Sequence, residues 1–128
     1  MIRLIRRWLA TSAPIPDISP EMVSTYLGRS GRAGSFAIFE LPDGKSFAQL
    51  KRVDGGGVRL ELSTRSSELE ALLGSLGAVT ILEDYHFPVV TSRPGDDARV
   101  AQVIAQSLAT MASANGIANL TRVRTGSG

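Results

Sequence analysis

An α+β domain, with an antiparallel β-sheet covered on one face by helices, follows from three features of this 128-residue chain. Residues 35–63 hold three strand-like runs separated only by Pro42-Asp43-Gly44-Lys45 and Asp54-Gly55-Gly56-Gly57. Strands joined by connections that short must pair antiparallel, because a parallel crossover needs about a dozen residues or more. Apolar residues then recur at helical spacing on both sides of this meander. Finally, 43% of the residues are apolar and 20% charged, which suffices for one core at this length and not for two.

The elements follow in order. Residues 11–20 contain Pro14, Pro16 and Pro20 with Ser12 and Ser19, the chemistry of a linker. Ser19-Pro20 reads as an N-cap followed by proline at the first helical position. Met22, Val23, Tyr26 and Leu27 give the next helix one apolar stripe, which Gly28 ends. Gly28 to Gly34 places a glycine at every third position and invites a phosphate-loop reading. The lysine and hydroxyl residue of such a loop are missing and no strand precedes it, so it is expected as a plain flexible connection. Strands are predicted over 35–41, 46–53 and 58–63, the last with Val58, Leu60 and Leu62 alternating with Arg59, Glu61 and Ser63. Ser67 and Glu70 have the spacing of a capping box, ahead of a helix lined by Leu69, Leu72, Leu73 and Leu76 and ended by Gly77. Residues 78–82 and 85–91 are short strands, with Pro88 pushing the second towards an edge. Asp96 or Asp97 caps a long helix whose buried stripe is Val100, Val103, Ile104, Leu108 and Met111, closed by Asn115-Gly116. Residues 121–128 are polar and expected to fray. The domain therefore covers 19–116, between an arm and linker over 1–18 and a tail over 117–128. Its order is a basic N-terminal helix, then α-β-β-β-α-β-β-α.

Composition excludes several kinds of chemistry. Without cysteine there is no disulfide, thiolate zinc site, iron–sulfur cluster or cysteine nucleophile. His86 is the sole histidine, which leaves no multi-histidine metal site and little for acid–base work. Its neighbours Glu83 and Asp84 diverge at a joint between strands, and no serine or threonine is marked as a nucleophile, so His86 is expected at a strand surface or rim. Asp96 and Asp97 are explained by helix capping. No enzyme, cofactor or metal is predicted. No apolar run approaches about 18 residues, the minimum for a spanning helix.

Charge is unevenly distributed. Residues 1–34 carry a balance of +3, residues 35–116 a balance of −3, and Arg122 and Arg124 add +2. An acidic body with 5% aromatics argues against nucleic acid as partner. The first ten residues are basic and amphipathic, with Ile2, Ile5, Trp8 and Leu9 against Arg3, Arg6 and Arg7. This arm packs on its own domain or a twin, or else touches a membrane surface through residues 1–10.

The segment Phe36-Ala-Ile-Phe-Glu-Leu-Pro-Asp-Gly-Lys45, followed by Gly57-Val-Arg-Leu-Glu-Leu62, a leucine-rich helix ending at Leu76-Gly77 and a long last helix, resembles the type III secretion chaperone-like superfamily. The likeness is closest to its bacterial peptide-chaperone-like branches and spans residues 19–116. It implies a cytoplasmic, non-enzymatic protein, commonly a homodimer, that holds an extended client chain on its surface. The mildly acidic body fits that family, whereas the basic arm and tail depart from it.

Strand alternation locates a surface for such a client independently. With Glu40, Gln49, Lys51, Arg59 and Glu61 turned to solvent, Phe36, Ile38 and Phe47 turn outward too, while Ala37, Phe39, Leu41, Ala48 and Leu50 turn inward. Phe36, Ile38, Phe47, Gln49 and Arg59 are thus the candidate partner-binding residues, an apolar cluster rimmed by charge. Ile5, Trp8 and Leu9 of the arm are candidates to cover it within the chain or its twin. Leu69 and Leu73 are a candidate dimer seam.

Overall fold

The computed structural model describes residues 13–84 and 86–127. Its elements are β1 (Ile15–Pro16), α1 (Pro20–Arg29), β2 (Ser35–Glu40), β3 (Phe47–Arg52), β4 (Val58–Leu62), α2 (Ser67–Gly74), β5 (Thr80–Ile81), β6 (Pro88–Thr91), α3 (Asp97–Asn115) and β7 (Leu120–Ser127). The strands form one antiparallel sheet in the order β1-β7-β2-β3-β4-β6-β5. Three helices pack on one of its faces, as an α+β domain of two layers requires. No described helix is long and apolar enough to cross a membrane.

Local chemistry explains most boundaries. Ser19 caps α1 by accepting from the Met22 N–H at 3.2 Å, and Pro20 fills the first turn. In the β2–β3 turn, one Asp43 carboxylate oxygen accepts from the backbone N–H groups of Lys45 (3.0 Å) and Ser46 (2.9 Å). The other accepts from the Ser46 hydroxyl at 2.7 Å. At α3 the C-cap Gly116 has φ +63°, the left-handed conformation that glycine adopts without steric cost.

The core lies between the sheet and the helices. Ala37, Phe39, Ala48, Leu50, Val58, Leu60 and Leu62 are fully buried on the sheet side, as the alternation requires. Val23 and Leu27 of α1, Leu69 and Leu73 of α2, and Val100, Ile104, Leu108 and Met111 of α3 meet them. Tyr26 sets its ring edge-to-face with Phe39, 5.9 Å between centroids.

Four expectations need correction. Residues 121–128 were expected to fray, yet β7 runs through most of them and pairs along the whole of β2, from Ser35↔Ser127 to Glu40↔Arg122. β2 would otherwise present an unpaired edge, and Thr121 and Val123 bury against the helices in alternation with exposed neighbours. The cap of α2 is Ser66, which accepts from the Leu69 N–H at 3.1 Å, and the helix closes at Gly74 rather than Gly77. β6 is not the edge strand: Pro88 opens it, and β5 lies outside it. A proline tolerates the first position of a strand, where a missing donor costs least. Finally, Leu69 and Leu73 cannot form a dimer seam, because both are spent in this chain's own core at 2% and 0% exposure.

Candidate functional site

The register of the central strands fixes which side chains share the face opposite the helices. Ile38 stands opposite Gln49, and Gln49 opposite Glu61. Phe36 stands opposite Lys51, and Lys51 opposite Arg59. Glu40 faces Phe47. All five candidate partner-binding residues therefore lie on one face, and all five are half-buried.

The half-burial has identifiable causes. Phe47 packs edge-to-face with Phe87, 5.7 Å between ring centroids. Its N–H donates to the Ser63 hydroxyl at 2.7 Å, which pins this end of β3 to β4. Phe36 lies against Gly126 of β7 so closely that a Cβ there would overlap its ring. An aromatic laid across a cross-strand glycine covers backbone that would otherwise be bare. Phe36 and Phe47 stand at opposite ends of the β2–β3 pair, with Ile38 and Gln49 between them.

β7 supplies the residues that the sequence reading left out. Arg124 stands beside Ile38 and Arg122 beside Glu40, so two arginines expected in a frayed tail join the candidate face. Their signal is the run Thr121, Val123, Thr125 alternating with Arg122 and Arg124. Arg124 pairs with Glu40 at 3.3 Å, and Arg59 with Glu61 at 3.8 Å. In each pair the cation is the more exposed partner, 36% against 26% and 39% against 16%. Lys51 and Arg122 are exposed. Beside Arg122 and Glu40 the face runs into a pocket of about 310 Å³ walled by Pro14, Leu41, Pro42 and Leu120. Leu120, 38% exposed, is one of two large apolar side chains of the described chain that stand open to solvent.

Other features place elsewhere. A groove of about 630 Å³ runs between α2 and α3, with Ala71, Leu72 and Ala109 among its walls. His86 is exposed, as a rim residue should be, but it sits in the β5–β6 turn with φ +57° and not in a strand. Gly28 does not end α1, which runs on through Arg29 to a C-cap at Ser30, so the connection to β2 covers only residues 30–34. The arm residues Ile5, Trp8 and Leu9, and with them the basic helix and membrane contact over 1–10, lie outside the described residues. No cluster able to hold a metal ion occurs among the described residues.

Compared with known proteins, the chain matches no family model, and no curated protein or solved structure is significantly similar to it.

Proposed function

We propose that this chain is a non-enzymatic, chaperone-like module that binds a protein or peptide segment on the face of its sheet opposite the described helices. One observation supports this reading above the others: Phe36, Ile38 and Phe47 share that face with Gln49 and Arg59, while the helices occupy the other side. Apolar side chains rimmed by charge on a sheet face are the usual chemistry of a partner site. The proposed setting is cytoplasmic and the proposed active form a homodimer, after the family resemblance. Because Leu69 and Leu73 are core residues, the exposed Met22 of α1 and the groove between α2 and α3 are candidate surfaces for self-association among the described residues.

The test is binding of the full chain to an arrayed library of short peptides, alongside the double variant Phe36→Asp with Phe47→Asp. Saturable binding that the variant loses, with an unchanged far-UV circular dichroism spectrum, is expected. Equal binding by both proteins refutes the surface. Analytical ultracentrifugation of the same samples reports the dimer.

A further inference from the structure

We infer that the segment held on this face is an acidic polypeptide bearing an apolar anchor; the inference rests on the peptide-binding reading and adds the chemistry of the client. The mildly acidic balance of residues 35–116 pointed to the opposite electrostatics. β7 reverses the local sign. Four cations, Lys51, Arg59, Arg122 and Arg124, share the face with two carboxylates, Glu40 and Glu61. Both carboxylates are engaged by arginines that stand further into solvent than they do. An approaching chain therefore meets guanidinium and ammonium groups first, and a complementary partner must be negative.

The pocket beside Arg122 supplies the second half of the inference. It holds about 310 Å³ between Pro14, Pro42, Leu41 and Leu120, room for one branched or aromatic side chain, and is also lined by Arg122 and by Glu40, which pairs with Arg124. An apolar residue seated there places its flanking residues within reach of Arg122, where a carboxylate is favoured.

The experiment uses the full chain and fluorescein-labelled peptides that share their leucines and serine spacers and differ only in carrying glutamate, glutamine or lysine between them. Fluorescence anisotropy is expected to show the glutamate peptide binding at least about tenfold more tightly than the lysine peptide, weakening as salt rises from about 50 to about 300 mM. Lys51→Glu with Arg122→Glu, both exposed positions, is expected to abolish that preference, and Leu120→Asn to weaken all three peptides together, because they share the leucine that seats beside it. Equal affinity for all three peptides overturns the charge inference and leaves the apolar platform standing. Binding of none of them overturns both. Tighter binding of an oligodeoxythymidine than of the glutamate peptide overturns the inference in favour of single-stranded nucleic acid.

Discussion

Arg52 ties together the end of α1, the β3–β4 turn and the start of α3, and replacing it with alanine tests how much of the stability depends on that knot. Its Nε donates to the Ser30 carbonyl at 2.9 Å, and Nη2 to the Leu27 carbonyl at 3.2 Å, both at the C-terminal end of α1. Nη1 donates to the Gly56 carbonyl in the β3–β4 turn at 2.9 Å. Both terminal nitrogens also engage Asp97 at the start of α3, at 3.0 and 2.9 Å. The Arg52 side chain is only 7% exposed, whereas that of Asp97 is 43% exposed. Once Arg52 is gone, water can reach Asp97, so the ion pair itself accounts for no more than about 1 kcal/mol. The carbonyls are worse placed. A buried acceptor left without a donor costs about 1–3 kcal/mol; the Ser30 carbonyl is left so, whereas that of Leu27 keeps the Ser30 N–H at 3.1 Å. Arg52→Ala should therefore cost about 2–3 kcal/mol, a large share of the roughly 5–15 kcal/mol that holds a domain together. Urea unfolding followed by far-UV circular dichroism measures it, with a fall in Tm of about 7–11 °C as the thermal counterpart. Asp97→Asn keeps one of the two acceptors at a position open to water and should cost about 1 kcal/mol. Were Asp97→Asn as damaging as Arg52→Ala, the ion pair and not the carbonyls would dominate, and the reasoning would fail. It would fail equally if Arg52→Ala unfolded within about 0.5 kcal/mol of the parent.

Two further outcomes are expected. Asp43 has its carboxyl held below its ordinary pKa, first by the Ser46 N–H and then by the Lys45 N–H. A depressed carboxylate stabilises the fold fully above its unfolded pKa and loses that contribution as pH falls through the folded value. The stability gap between the parent and Asp43→Asn, read by urea titration, should thus be constant near neutrality and shrink as pH drops below about 4. Ending the chain after Asn119 removes β7 and exposes the length of β2, and should yield a chain without cooperative thermal unfolding. A sharp melt from that truncated chain would show that the sheet closes without it.

What could be read from the sequence was the part written in local patterns. Val58, Leu60 and Leu62 alternate with charged residues, and the strand and its buried face follow directly. Ser19-Pro20 and Asn115-Gly116 mark helix ends by side-chain and backbone chemistry a few residues long. β7 defeated the same approach because it has only one aliphatic residue, Val123, on its inner face, with Thr121 completing the alternation. Threonine favours a strand as valine does, but a hydrophobicity pattern does not register it. Arg52 reads in sequence as one more basic residue at the end of a strand. Its role comes from Ser30, Gly56 and Asp97, brought together only by the folded chain. Leu69 and Leu73 failed for the complementary reason: one apolar stripe serves a core or a seam, and only the packing of α2 against α3 and β6 decides which.

The candidate face shows why this distinction matters for function. Its rings belong to β2 and β3, neighbours joined by a tight turn, so Phe36, Ile38 and Phe47 could be gathered from the alternation alone. Its electrostatic sign belongs to β7, which reaches β2 only after the rest of the domain has been threaded. Summing charge over a stretch of chain thus gave an acidic body, while the surface a partner would meet carries an excess of arginine and lysine. The same strand closes the sheet and sets its charge, so deleting it cannot separate folding from binding. Reversal of the exposed Lys51 and Arg122 can, because neither forms an ion pair among the described residues and neither is buried.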